Sequence, residues 1–359
     1  MVIMVQEKTR RISFRTIALG VAVAATVGWL IVFPMIESYF KQFEERPTTY
    51  VVEELTPFEM LRVRSAKLAI FSIFAYVGAC VGSFLNVVAG SAPRGEPVTT
   101  RSSLCPHCGQ KIRRRDNIPI FSFFALKGRC RTCQAPISMR YLMVELVASG
   151  IFALLFLVEL VTGASNVPGG MHYHYAGIVW IILYTKWPVV GIYFYHTMMF
   201  SMLLMFSLME LDRLKCPRAM AFSILIVFSL LMICMPALHT VAFDDLIGVS
   251  VSASLPTWVE QLITCLAGGI AGLLAGRLVH LIGMDAPETV ALVLLGLTIG
   301  WQALVTVMLI WIALTIAMAL FARFPRTARL SPRWFGPTMV LLAAGLLHHP
   351  FWNRLAMLW

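Results

Sequence analysis

Charge is scarce in this chain. Only 13% of its 359 residues are charged, and acidic side chains are the rarer kind, 18 against 29 Lys and Arg. Soluble domains carry nearer a quarter charged residues, so the shortage excludes an ordinary soluble domain. Internal repeats and low-complexity tracts are also missing, which excludes solenoid arrays and compositionally disordered segments. Hydrophobicity fills the gap. The chain is 59% hydrophobic with a mean hydropathy of +0.79, and its long apolar runs define an all-α polytopic membrane protein.

Runs of roughly 18 or more apolar residues are long enough to cross a bilayer core. The sequence places about nine transmembrane helices, near 16–36, 68–90, 141–162, 190–211, 219–239, 261–282, 289–302, 303–321 and 336–350. The first follows a basic stretch, as a signal peptide would. It is longer than a usual signal core and lacks a small-x-small cleavage site, so it reads as a retained span. "AGIVWIILYTKWP", 176–188, is interrupted by Lys186 and Pro188 and reads as interfacial.

Loop charge sets the orientation. Segments 1–15, 91–140, 212–218 and 322–335 are basic, the second with ten Lys or Arg against Glu96 and Asp116. Segments 37–67 and 240–260 are mixed or acidic. The positive-inside bias puts the four basic segments in the cytoplasm, and nine spans with the N-terminus inside satisfy every assignment. The net charge of +11 therefore reports cytoplasmic loops facing a bilayer, with no nucleic-acid partner.

Of eight cysteines, Cys80, Cys216, Cys234 and Cys265 lie in or beside apolar runs and read as small hydrophobes. The other four form two C-x-x-C pairs separated by 21 residues: Cys105, Cys108, Cys130 and Cys133. Two such pairs can close a tetrahedral, structural zinc site, with Gly109 easing the first turn. His107 is a substitute ligand, and disulfides or free thiols are the alternative, which a reducing cytoplasm disfavours. A loop of this size has little apolar core, so the metal would supply much of its order. The run Lys111, Arg113, Arg114 and Arg115 reads as a topogenic charge cluster, with lipid phosphates as the other reading.

Two acidic clusters fall at the cytoplasmic ends of different spans: Glu210 and Asp212 in "SLMELDRLKCPR", and Asp285 and Glu288 in "GMDAPETV". Ionisable groups at such a boundary are functional hypotheses by default. Two carboxylates brought together cannot both ionise comfortably. The ionised one can take a proton from water while the protonated one polarises a carbonyl. Pairing with nearby cations, Arg213 beside Glu210 for instance, is the structural alternative. A transporter would instead place such a pair near mid-membrane.

These residues resemble the type IV prepilin leader peptidases. "GSFLNVV", 82–88, matches that family's opening motif. The cysteine loop matches through Asn117-Ile118-Pro119, Gly128, Pro136-Ile137-Ser138, Arg140-Tyr141 and Val144-Glu145-Leu146. "FGP", 335–337, matches a motif before its last span. The resemblance covers about 68–350 and implies a bacterial inner-membrane enzyme that removes leaders from pilin-like precursors of type IV pili or type II secretion. It implies direct activation of water without a metal, and a second activity, S-adenosylmethionine-dependent methylation of the new N-terminus.

The catalytic motifs depart from the family. Its D-x-D is Glu210-Leu211-Asp212 here, and its G-x-G-D is Asp285-Ala286-Pro287-Glu288, so both catalytic aspartates are glutamates. Each Glu keeps the carboxylate and adds about 1.5 Å of reach, where about 1 Å of misplacement can cost on the order of a hundredfold. Pro287 stiffens its loop. The resemblance makes Glu210 and Glu288 the dyad, with Asp212 and Asp285 as the alternative pair. A non-catalytic relative that binds pilin-like subunits as an assembly partner is the competing function. The implied organisation is an extra span and extracytoplasmic loop at 1–67, the GSFLN span at 68–90 and the zinc loop at 91–140. A peptidase-like membrane domain follows at 141–350, then a tail at 351–359. The extra N-terminal span and Ser91, where the family has Arg, are further departures.

Overall fold

The computed structural model describes residues 57–98, 103–168, 183–235, 256–283, 287–322 and 336–356, with Thr26, Gly28, Ile181 and Leu238 as isolated positions. The expected first span at 16–36, apart from Thr26 and Gly28, and residues 176–180 and 182 of the 176–188 segment lie outside the described residues. Two compact units divide the chain, Met1–Ile70 and Phe71–Trp359. The first is described through the beginning of one helix.

The described residues are helical, with only two isolated β-bridges, both in the cysteine loop. The order is α1 (Pro57–Ser91), the short α2 (Phe121–Ala125), α3 (Met139–Leu155), α4 (Trp187–Leu211), α5 (Arg218–Cys234), α6 (Thr257–Leu281), α7 (Thr289–Ala322), α8 (Pro337–His348) and α9 (Trp352–Ala356). Among the described residues, five segments are long and apolar enough to cross a membrane: Leu61–Arg94, Met139–Leu160, Trp187–Leu211, Trp258–Leu281 and Thr289–Phe321. Large side chains such as Leu281 (83% exposed), Leu274 and Leu278 lie uncovered, as lipid-facing residues would.

α4 is the central element, with Tyr193, Phe200, Leu203 and Phe206 all buried. α3 meets α1 where Gly78 and Gly82 leave no room for a Cβ against Ala148. α6 meets α7 in the same way, Gly268 and Gly272 facing the backbone of Gly296 and Leu292. Small residues four apart let membrane helices approach to backbone contact, where packing rather than the hydrophobic effect drives association.

The turn expected between 289–302 and 303–321 falls at Gly300. A straight helix would put about 35 Å between Glu288 and Trp311, yet both reach the same two residues. Trp311 Nε1 donates to the Pro337 carbonyl at 3.1 Å, and the Glu288 N–H donates to Thr338 Oγ1 at 3.0 Å. The chain therefore doubles back within α7, at Gly300, whose φ 81° and ψ 162° belong to a region essentially confined to glycine. The first arm, Thr289–Ile299, is only about 16 Å of helix, half of a bilayer core. At that length the first arm is too short to span a bilayer core by itself.

The expected last span also shortens. α8 has 12 residues, about 18 Å, and then tightens into a 3-10 turn at His349–Phe351 with Pro350 inside it. α5, expected at 219–239, has 17 residues.

Candidate functional site

α4 ends in a tight C-terminal motif. The Leu214 N–H reaches the Met209 carbonyl at 2.8 Å and the Arg213 N–H reaches Glu210 O at 2.9 Å, with Arg213 in the left-handed region at φ 56°. This closes the last carbonyls of the helix and turns Glu210 and Asp212 outward at its lip. The two carboxylates then part. Asp212 takes both guanidinium nitrogens of Arg140, at the start of α3, with Nη2 to Oδ2 at 2.7 Å. Such a two-pronged pair is both strong and geometrically fixed.

Glu210 does not use Arg213. Its Oε2 accepts the Thr338 N–H at 2.9 Å, in the first turn of α8, where free N–H groups and the helix dipole favour negative charge. The approach is so close that a Cβ on Gly336 would lie 2.7 Å from Glu210 Oε1. This gives the 335–337 motif a physical role: Gly336 admits the carboxylate and Pro337 starts the helix without needing an N–H.

Glu288 joins from the other side. Its backbone N–H donates to Thr338 Oγ1, so one threonine holds both glutamates. Burial and then the Glu210 charge raise the Glu288 carboxyl above the ordinary glutamate range, against a weaker opposite pull from Lys215. Cys216 lines the same place: burial, and after it the Glu288 charge, pushes its thiol up to about 11. Thr338 and Lys215 stand beside the two glutamates without being singled out by motif reading. Asp285 lies outside the described residues.

The four cysteines come together. Their sulfurs lie within 4.8 Å of one another and could hold a metal ion. Each pair sits in its own knuckle. Cys105 N–H bonds Gln110 O at 2.9 Å and Gly109 N–H returns to Cys105 O; Cys130 N–H bonds Ala135 O at 2.8 Å and Gln134 N–H returns to Cys130 O. Gly109 (φ 66°) and Gln134 (φ 59°) take the left-handed conformation at matching positions, so the second knuckle makes its turn without glycine. The backbone N–H groups of Cys133 and Thr132 aim at Cys130 and lower its thiol to about 6, an electropositive setting of the kind that favours thiolate. Arg131 reaches Asp116 through two bonds of 2.6 and 2.8 Å, tying the second knuckle to the segment after the first. Ile120 N–H donates to Glu145 Oε2 at 2.6 Å and anchors the loop on α3. His107 is not part of the cluster.

A cleft of about 1280 Å³ runs between the loop and the GSFLN segment, lined by Ser83, Phe84 and Asn86 on one side and Cys105, Arg113 and Cys130 on the other. The GSFLN and cysteine motifs therefore share one cavity, separate from the carboxylate pair.

The described residues thus combine apolar helices long enough to cross a membrane, a four-cysteine loop, and Glu210 and Glu288 held at one helix terminus, the first by its carboxylate and the second by its backbone N–H. Residues 76–159 match the family described as Bacterial Peptidase A24 N-terminal domain. The Prepilin leader peptidase/N-methyltransferase of Myxococcus xanthus is 45% identical over 84 residues, covering 23% of this chain and 25% of the relative. The Type 4 prepilin-like proteins leader peptide-processing enzyme of Escherichia coli O78:H11 is 46% identical over 99 residues, 23% of this chain and 37% of the relative. The Klebsiella pneumoniae Prepilin leader peptidase/N-methyltransferase is 42% identical over 83 residues, 21% and 36%. The chain thus spans between a quarter and somewhat over a third of these relatives' own length. No solved structure matches.

Proposed function

We propose that this chain is a leader peptidase of the prepilin-processing type, in the bacterial inner membrane, with Glu210 and Glu288 as its acid couple at the cytoplasmic face. The observation that carries the reading is Thr338, bonded to the Glu210 carboxylate and to the Glu288 backbone at once. Their roles follow from their surroundings. Glu210, whose carboxylate accepts the Thr338 N–H at the start of α8, takes the proton from water. Glu288, held above the ordinary range, keeps its proton and donates it toward the scissile carbonyl oxygen. The water oxygen attacks the carbonyl carbon, the amide C–N bond breaks, and a proton passes to the departing amine. Asp212, engaged by Arg140, is a structural group in this scheme.

The loop would hold one zinc ion through Cys105, Cys108, Cys130 and Cys133, a closed structural site without a position for water. S-adenosylmethionine, suggested by the relatives' names, has a candidate location in the cleft, whose volume exceeds the common range of roughly 300–1000 Å³ for small-molecule pockets. The two carboxylates among its described lining residues, Asp116 and Glu145, are already engaged by Arg131 and the Ile120 N–H. The size fits, but both carboxylate acceptors are already engaged, and no methyl-transfer step follows.

One observation favours the competing reading, a non-catalytic partner of pilin-like subunits: Glu210 spends an oxygen on capping α8. Reconstituting the purified chain in vesicles with a synthetic pilin-like precursor separates the two. Mass spectrometry should find the leader removed just before the hydrophobic stem. Tight binding of the precursor without any cleavage would favour the partner.

A further inference from the structure

A second polar cluster lies deep in the bundle, away from both the acid couple and the cysteine loop. Glu159, His196 and His349 are 0–1% exposed and come from three separate elements. Glu159 belongs to the π-turn Phe156–Leu160 that ends α3, His196 to the first half of α4, and His349 to the 3-10 turn after α8. Their donor atoms converge: His196 Nδ1 lies 2.5 Å and His349 Nε2 2.6 Å from the same oxygen, Glu159 Oε1.

We propose that Glu159, His196 and His349 form a second metal site, for a zinc-class divalent first-row ion. Two imidazoles and a carboxylate are a donor set such ions accept. Hydrogen bonding leaves the cluster incomplete. Glu159 Oε2 is buried without a partner, and leaving a buried acceptor unpaired is unfavourable. A single shared proton would sit on Oε1 and leave Oε2 bare. A cation can take both carboxylate oxygens and two ring nitrogens, four donor atoms in all, and offsets a carboxylate charge that full burial makes expensive.

The surroundings are built to hold such a group. Single π-turns inside helices recur at functional sites, and this one carries Glu159. Asn166 Nδ2 donates to the His349 carbonyl at 3.2 Å, and Asn353 N–H returns to Asn166 O at 2.8 Å. The Trp352 ring closes over His349 at 5.6 Å and His196 at 5.8 Å. The ion would pin α3, α4 and the end of α8 together. His349 is eleven residues from Thr338, about 16 Å along the helix, so the clamp would also fix the terminus that braces Glu210.

The test reads metal content and ligand type and does not require leader cleavage. The full chain is purified from zinc-supplemented cells, and metal per chain is measured together with zinc X-ray absorption. The expected spectrum contains nitrogen or oxygen scatterers near 2.0–2.1 Å as well as sulfur near 2.3 Å. Replacing Cys105 and Cys108 with Ser should remove the sulfur component and keep the other. Glu159→Gln and His196→Asn, each retaining a polar side chain, should do the reverse, with the surviving sulfur signal reporting an intact loop. Cobalt titration of the unmutated chain supplies a further readout, weak d–d bands that persist when the sulfur charge-transfer bands are lost. A spectrum with sulfur scatterers alone, or no metal outside the thiolates after supplementation, overturns the site and leaves a proton-sharing triad.

Discussion

Replacing Thr338 with Val removes one hydroxyl and keeps shape and volume. Thr338 is fully buried, its hydroxyl accepts from the Glu288 N–H, and its own N–H donates to Glu210. The second bond is backbone and survives; the first is lost and strands a half-buried donor. Orphaning a buried donor costs about 1–3 kcal/mol, and the partial exposure of Glu288 argues for the lower part, about 1–2 kcal/mol. If that loss falls on the placement of Glu288 in the transition state, cleavage slows about 5- to 30-fold. Precursor binding draws on other surfaces, so kcat should fall while KM holds, and Thr338→Ser should restore the rate. The assay is leader removal by vesicle-reconstituted protein, timed by mass spectrometry, with thermal unfolding measured alongside. A folded Val variant that cleaves at the unmutated rate, or a Ser variant as slow as Val, would refute the shared brace.

Lys215 pulls the Glu288 carboxyl down while Glu210 pushes it up. Catalysis that needs neutral Glu288 fades as pH rises through its pKa, so Lys215→Ala should move that fade to higher pH in a pH–rate profile; no movement, or movement downward, counts against the assignment. The same raised carboxyl makes the folded chain hold a proton that the unfolded chain releases, so its contribution to stability declines as pH climbs above the ordinary glutamate range, measurable as a falling Tm that Glu288→Gln abolishes. Gly300→Ala forces a side chain into a glycine-only backbone region, at a cost of about 1–3 kcal/mol, and should lower Tm; an unchanged Tm would argue against the reversal. Cobalt bound to the cysteine loop should give intense sulfur charge-transfer absorption, lost in Cys105→Ser with Cys108→Ser, and its absence from the unmutated chain would contradict the loop's assignment.

What the sequence made legible was local. Ligand spacing in the cysteine loop is set by the few bonds between Cys105 and Cys108 and between Cys130 and Cys133, so proximity within each pair follows from the chain itself. The helices follow from length and apolarity, and Glu210 falls at a helix end as the pattern implies. Contacts between distant segments were not legible. Thr338 lies 128 residues from Glu210, and nothing in an apolar helix start distinguishes a threonine that braces two acids. Arg213 was the nearest cation in sequence, yet Arg140, 72 residues before Asp212, is the one used. The break between 289–302 and 303–321 was legible to within a few residues of Gly300, but hydropathy gives no sign that the first arm, Thr289–Ile299, measures only about half a bilayer core. The Glu159 cluster draws single residues from three spans, and its one outward sign was the adjacent His348-His349 pair.

The most direct measurement is leader removal by the chain carrying Glu210→Gln or Glu288→Gln, compared with Asp212→Asn. Each Gln variant keeps the shape and loses the ionisable group, and cleavage should fall a hundredfold or more, within the range of general acid–base contributions of about 10²–10⁴, while Asp212→Asn still cleaves. Cleavage that persists in both Gln variants and stops in Asp212→Asn would contradict the acid couple outright.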